Sequence, residues 1–272
     1  MERDTRLEAY LERIGEPGPV AADLATLRRI HRAHLRAITY ENLDIHLGRE
    51  IALDEERFFA KLVGERRGGW CYEMNGLFAA MLRRIGFAVR LLATTVNRDR
   101  PGLVAADNHL ALLVELERPY LADVGFGNGL QEPIPLEPGA YEQGGFRYEL
   151  ARDGERWFFH NFGRGEIYDF TLEPRQLADF AHPSRALQTD PASGFVRVAT
   201  CHRWTEGAIL SLRGAVLQTV TPAGATEETI ADAARYESLI RETFGLAVDD
   251  LDGLWRKVRA AHEAWAAQQA AA

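Results

Sequence analysis

The sequence predicts an α+β protein: helical in its first third, built of strands through the middle, and helical again at its end. Three observations carry this. Apolar residues recur at helical spacing up to Gly86, the period becomes alternating from Phe87, and helical spacing returns after residue 226. With 272 residues and 46% hydrophobic content, the chain can build one large core or two to three smaller ones.

The elements follow in order. Residues 4–14 place Leu7, Tyr10, Leu11 and Ile14 on one helical face, with Gly15 to stop the helix and Pro17-Gly18-Pro19 to turn the chain. A second helix over 21–37 has Leu24, Leu27, Ile30, His31, His34, Leu35 and Ile38 as its inward stripe. No Cys, Asp or Glu cluster at ligand spacing accompanies His31 and His34, so they read as core or surface histidines and no metal is expected. Residues 39–46 read as a semi-polar connector, and residues 54–63 as a short helix capped by Asp54. The clearest helix spans 71–85. Met74, Leu77, Phe78, Met81, Leu82 and Ile85 form its buried face, Arg83 and Arg84 suit its carbonyl end, and Gly86 caps it.

Strands are expected at 87–96, at 109–116 and at 120–124, the last two forming a hairpin through Glu117-Arg118-Pro119. Further strands at 146–150, 156–160 and 165–170 suggest a barrel or curled sheet. Residues 176–180 read as one or two helical turns, 194–199 as a strand, and 209–212 with 215–220 as a hairpin through Arg213-Gly214. Helices over 226–244, capped by Gly245, and over 248–267 end the chain.

Composition narrows the function. The 32 Lys+Arg against 40 Asp+Glu give a formal charge of -8, which argues against nucleic acid as a partner. No stretch approaches the ~20 apolar residues of a membrane span, and Met1-Glu2-Arg3-Asp4-Thr5-Arg6 lacks the apolar core of a signal peptide, so a cytoplasmic protein without a membrane partner is expected. Cys71 and Cys201 are expected to be free thiols.

The chemistry centres on Arg66-Arg67-Gly68-Gly69-Trp70-Cys71. A thiol in the first turn of a helix meets the unsatisfied N–H groups, which favour the thiolate. The alternative is a small buried hydrophobe, and position alone leaves that alternative ahead. Two readings also stand for Glu41 and Arg67: a buried pair that fixes the turn, or two solvated charges. In the hairpin, a turn centred near Glu117 sets Asp123 opposite Ala111, one diagonal step from His109, and a one-residue slip would put the two on opposite faces. A buried Asp among Tyr120, Leu121, Ala122 and Val124 needs a partner, and an imidazole supplies one. Gly125-Phe126-Gly127-Asn128-Gly129 lacks the helix and Lys of a phosphate loop, so it reads as a close-approach turn with Phe126 as an aromatic wall.

Together these segments resemble the arylamine N-acetyltransferases. The family's Arg-Gly-Gly-x-Cys stands as Arg67-Gly68-Gly69-Trp70-Cys71, and its Pro-Phe-Glu-Asn-Leu as Thr39-Tyr40-Glu41-Asn42-Leu43. His-Leu is His109-Leu110, and Asp-x-Gly-Phe-Gly is Asp123-Val124-Gly125-Phe126-Gly127. Weaker similarity runs through Ile167–Arg175 and Ser193-Gly194-Phe195, so residues 5–200 are covered. The resemblance implies a catalytic set of Cys71, His109 and Asp123, with Arg67 and Glu41 supporting it. It implies a pocket at Tyr40, Phe126, Gly127 and Phe195, in which Thr39-Tyr40 replaces Pro-Phe. It also implies three parts: a helical bundle over 1–86, a β-barrel over 87–198 and an α/β lid over 199–272, around a cysteine-protease-like core. The implied activity moves an acetyl group from acetyl-CoA, without a metal, through a cysteine thioester to an aromatic amine. Competing expectations are an amide synthase of the same family fed by a carrier protein, and a Cys-His-Asp hydrolase.

Overall fold

Helix α1 (Thr5–Arg13) begins on Asp4, whose carboxylate accepts the Leu7 N–H, and α2 (Leu24–Ala37) begins the same way on Asp23 and Thr26. The structure, a computed structural model, describes residues 4–162 and 167–270. After α2 the expected connector is instead a two-residue strand, β1 (Tyr40–Glu41), and a helical turn, α3 (Leu43–His46). Two residues are too few to show a period. Their ladder partner lies 160 residues away, so local pattern cannot reveal the strand.

Helix α4 (Glu55–Phe59) is capped by Asp54 as expected and continues into a π turn over Ala60–Gly64. Helix α5 (Cys71–Ile85) matches the expected span and ends at Gly86 in the left-handed region, φ 110°. The turn before α5 is tied to β1 by a parallel bridge between Tyr40 and Gly69. The Glu41 N–H donates to Gly69 O at 2.9 Å and the Gly69 N–H to Thr39 O at 3.2 Å. A Cβ at Gly68 would lie 2.1 Å from Thr39 O, so this junction requires glycine.

Eight antiparallel strands follow: β2 (Ala88–Val96), β3 (His109–Glu115), β4 (Pro119–Ala122), β5 (Ile134–Pro135), β6 (Gly139–Gln143), β7 (Phe146–Asp153), β8 (Arg156–His160) and β9 (Ile167–Arg175). Their order is β5-β4-β3-β2-β9-β8-β7-β6. The first two residues of the expected 165–170 strand lie outside the described residues. The two ends of the sheet are joined by side chains rather than by a ladder. Gln143 of β6 accepts the Gln131 and Glu132 N–H groups and donates to Glu132 O, and Tyr141 Oη donates to Pro135 O. The result is a near-barrel.

A 3₁₀ turn over Leu177–Phe180 leads into α6 (Ala181–Thr189), a helix the sequence reading stopped short of. The expected strand over 194–199 is instead the short helix α7 (Gly194–Arg197). Ser193 accepts the Phe195 N–H as its cap, and Asn42 Nδ2 holds Phe195 O and Val198 O, so local capping outweighs the β-branched residues. Strands β10 (Thr200–Trp204), β11 (Ile209–Arg213), β12 (Val216–Thr221) and β13 (Gly224–Thr229) form the second sheet, in the order β1-β10-β11-β12-β13. The expected 226–244 helix is thus corrected at its start. Gly224, at φ 144°, turns the chain, and Thr226 pairs with Thr219. Only α8 (Ala233–Ser238), with the π turn Leu239–Thr243 after it, is helical. Helix α9 (Leu251–Ala270) closes the chain. One core joins the N-terminal helices to the near-barrel, and a second packs the five-stranded sheet against α8 and α9.

Gly68→Ala should lose at least about 2 kcal/mol of unfolding free energy, because the new methyl meets a main-chain carbonyl that the Tyr40 bridge holds in place. Urea denaturation of the two proteins checks this.

Candidate active site

Cys71 is the first residue of α5, and its side chain is buried, 2% exposed. The chain after β4 lies directly on it. A Cβ at Gly125 would sit 2.8 Å from Cys71 O and 2.5 Å from Asn75 Nδ2, so glycine there allows the contact. In the β3–β4 hairpin Leu112 pairs with Ala122 and Val114 with Tyr120, a register that sets Asp123 opposite Ala111, as expected. His109 Nε2 and Asp123 Oδ2 are 2.7 Å apart. With the carboxylate ionised, Nε2 carries the proton and Nδ1 is the free ring nitrogen.

Asp123 is fully engaged. Its Oδ1 accepts from Asn75 Nδ2 at 2.8 Å and from the Gly125 N–H at 2.9 Å. Burial acts to raise its pKa, but the His109 charge and the bonds from His109, Asn75 and Gly125 hold the carboxyl below its usual range. Asn75 also donates to Leu110 O at 2.6 Å and accepts the Val124 N–H at 2.9 Å, so one amide joins α5 to both strands of the hairpin. From α2, His31 Nε2 accepts the Asp123 N–H at 3.2 Å while Nδ1 donates to Gln131 O at 2.9 Å. Burial pushes His31 down to about 4, so it is a neutral structural imidazole.

The thiol is in a different electrostatic state from the one its helix position suggests. Burial pushes Cys71 well up and the Asp123 charge adds to this, while the Tyr72 and Leu110 N–H groups oppose it. No hydrogen bond joins Cys71 directly to His109 among the described residues; the thiol lies by the Leu110 N–H, next in sequence to His109. Cys201, the second free thiol, is buried in β10 opposite Glu41.

Aromatic rings surround the pair. Phe126 packs edge-on against His109 with centroids 5.3 Å apart, and Tyr168 lies 5.4 Å from the same ring. Phe195 meets Trp70 at 5.4 Å. Tyr40 lies 5.5 Å from His202, and Gly127, at φ 80°, lies against both rings.

Beneath the cysteine turn, Arg67 donates to Glu41 at 2.8 Å and Asp44 at 3.1 Å, so the buried-pair reading holds. The cluster is larger than a pair, because Lys61 Nζ reaches Asp44 at 2.7 Å and Glu73 at 2.9 Å. Glu73 also accepts the Trp70 N–H at 3.1 Å. Among the described residues no group of His, Cys, Asp or Glu could hold a metal ion, and no helix is long and apolar enough to cross a membrane.

A family profile described as N-acetyltransferase matches residues 23–252. The arylamine N-acetyltransferase of Mycolicibacterium smegmatis is 41% identical over 259 residues, covering 91% of this chain and 94% of that protein. The chain belongs to the arylamine N-acetyltransferase family. The Escherichia coli arylamine N-acetyltransferase is 35% identical over 252 residues, covering 90% of each chain. Two solved arylamine N-acetyltransferase structures share the fold. That from Salmonella typhimurium has a TM-score of 0.87 at 31% identity, covering 95% of this chain and all of that one. That from Mycobacterium marinum, solved in complex with CoA, has a TM-score of 0.86 at 32% identity, covering 93% and 98%.

Measured against the arylamine N-acetyltransferase motifs, sequence reasoning missed His31, Asp44, Lys61, Glu73, Asn75, Tyr168 and His202 around the site. Asn75 had a signal: it lies four residues after Cys71, on the same face of an otherwise apolar stripe. Lys61, one of two lysines in the chain, had a weaker one.

His31 yields a pH prediction. Its folded pKa, about 4, lies below the ordinary 6.5, so the folded state binds fewer protons and the stability this residue contributes is lost as pH falls from 6.5 toward 4. His31→Gln keeps a donor and an acceptor but does not titrate. The stability difference between wild type and H31Q should change by on the order of 1–2 kcal/mol between pH 7 and pH 5. Urea unfolding at both pH values reads it, and an unchanged difference would contradict the burial argument.

Proposed function

We propose that the protein transfers an acetyl group from acetyl-CoA to an aromatic amine or hydrazine through an acetyl-Cys71 thioester, with Cys71, His109 and Asp123 as the catalytic set. The observation that carries this is the 2.7 Å bond from His109 to Asp123, held by Asn75 against the helix that begins at Cys71. In this reading residues 1–86 present the nucleophile, residues 87–198 carry the imidazole and carboxylate, and residues 199–272 cover the site.

A buried thiol ionises by giving its proton to a nearby base instead of to solvent. His109 takes that proton on Nδ1, Asp123 stabilises the resulting imidazolium, and the thiolate–imidazolium pair replaces two neutral groups. The Cys71 sulfur then bonds to the acetyl carbon, the carbon–sulfur bond to CoA breaks, and His109 returns its proton to the departing CoA thiolate. The Cys71 N–H, in the first turn of α5 where no carbonyl precedes it in the helix, is the oxyanion donor. In the second half-reaction the amine nitrogen bonds to the same carbon, the carbon–Cys71 bond breaks, and the proton lost by nitrogen returns through His109 to the thiol. An arylamine is unprotonated at neutral pH, so it is nucleophilic on arrival, and the walls of Tyr40, Phe126 and Phe195 favour a flat ring over water. Arg67 and Glu41 act below, on the turn.

Acetyl-CoA alone, without amine, should place one acetyl group on the peptide that contains Cys71, and Cys71→Ala should remove it. Peptide mass spectrometry reads both. Absence of label at every acetyl-CoA concentration, or label surviving in C71A, would end this reading. Addition of an arylamine should clear the label and yield the amide; free acetate formed without any amine requirement would point to a hydrolase.

A further inference from the structure

Against the Arg66–Arg67 end of the cysteine turn lies an open cavity of about 370 Å³, walled by Glu12, Arg13, Ala37, Arg66, Arg203 and Gly245. Adjacent residues of a strand face opposite sides. Since His202 of β10 packs on Tyr40 and Gly127, Arg203 points away from the aromatic pocket, and this cavity is separate from it.

Three guanidinium groups and one carboxylate line the cavity. Arg13, 9% exposed, donates to Leu62 O at 2.9 Å and Ala37 O at 2.8 Å. Arg203 donates to Arg36 O at 3.1 Å and Thr243 O at 2.7 Å. With Arg66 O and Arg67 O, each 3.5 Å from Arg13 Nη2, all six acceptors are neutral main-chain carbonyls, and among the described residues no carboxylate pairs with Arg13, Arg66 or Arg203. Acidic residues outnumber basic ones 40 to 32, and arginines such as Arg84 with Asp4, Arg118 with Glu137 and Arg235 with Glu228 are matched, whereas here three arginines share one cavity with the single carboxylate of Glu12. The three charges also repel one another. Burial first, then the Arg66 and Arg203 charges, push Arg13 down to about 10.

Arg66 adds a backbone observation. Its φ of 54° is left-handed, a conformation that glycine adopts freely and arginine adopts at a cost. That conformation closes the π turn Ala60–Gly64, where the Arg67 N–H donates to Lys61 O at 3.0 Å, and it leaves the Arg66 side chain at the cavity wall.

We propose that this cavity binds a small oxyanion, inorganic phosphate or the phosphate of a monoester, between Arg13, Arg66 and Arg203. The Arg66 guanidinium presents parallel donors that match two phosphate oxygens at once, Arg203 adds its Nη2, Arg13 contributes charge, and the excess of positive charge over Glu12 suits a dianion. Arg13 Nη2 is 3.5 Å from both Arg66 O and Arg67 O, so a bound anion would steady the turn that leads to Cys71.

Arg66→Gly is the direct test. Glycine relaxes the left-handed backbone, so the variant should fold at least as well as wild type while losing one of the three cations. Thermal unfolding of both proteins is followed against inorganic phosphate and against glycerol phosphate, with sodium chloride at matched ionic strength as control. Wild type should show a saturable rise in Tm, and R66G a half-saturation about tenfold weaker. Glu12→Gln, an exposed change, should tighten binding. A larger rise with glycerol phosphate assigns the monoester, and a larger rise with phosphate assigns the free ion. No saturable rise beyond the chloride control, or equal curves for wild type and R66G, overturns the proposal.

Discussion

The structure depends first on five charges buried beneath the cysteine turn: Glu41, Asp44, Lys61, Arg67 and Glu73. They come from β1, α3, the π turn after α4, the glycine turn and α5, so a single electrostatic requirement gathers five segments. Charges removed from water are costly unless they meet opposite charges in good geometry, which makes the arrangement nearly all-or-none. Three acids face two bases. Burial, with Glu41 nearby, outweighs Lys61 and pushes Glu73 up to about 7, so this carboxyl sits near the point of holding its own proton. Glu73 is also the residue that accepts the Trp70 N–H. The start of α5, and with it Cys71, is therefore set by the charge cluster as well as by the apolar face of the helix.

The hairpin meets that helix through hydrogen bonds of another kind. Asn75 donates to Asp123 and Leu110 and accepts from Val124, while His31 accepts from the Asp123 N–H. Both are neutral at working pH. In the proposed mechanism the charges are thereby confined to Cys71, His109 and Asp123, and the polar groups that hold Asp123 add no charge to compete with the imidazolium. A helix dipole alone would not give a thiolate here, because burial raises the thiol more than the Tyr72 and Leu110 N–H groups lower it. In the proposed mechanism the imidazole takes the proton, and its orientation by Asp123 is then the controlling distance.

What could be read from the sequence follows the range of each interaction. Helix α5 and its glycine cap rest on residues within fifteen positions of each other, and the β3–β4 register rests on a short hairpin, so both were legible from local pattern. The Glu41–Arg67 pair was visible as a possibility because a glycine turn between charges invites one. Strand β1 was not legible, since its identity comes from Cys201 and His202. Strand β13 read as helix because its alternation is all exposed, leaving no apolar face to mark the period. Helix α7 read as strand because Phe195, Val196 and Val198 suit one, while the deciding contacts come from Asn42. His31 was placed in the α2 core stripe without its polar role, which depends on a strand end 92 residues later.

These contacts also divide the site into a held part and an adjustable part. The catalytic candidates are fixed by hydrogen bonds and buried ion pairs, where one lost partner leaves a buried polar group unsatisfied. The pocket walls are fixed by ring packing: Phe126 on His109, Phe195 on Trp70, Tyr40 on His202. Ring contacts are individually weak and tolerate changes of size or polarity that a buried bond does not. A tyrosine can therefore occupy position 40 without disturbing the His109–Asp123 bond. In the proposed reading acceptor preference can change through the pocket walls, while the distance between imidazole and carboxylate remains under the control of the helix, the hairpin and the charges below them.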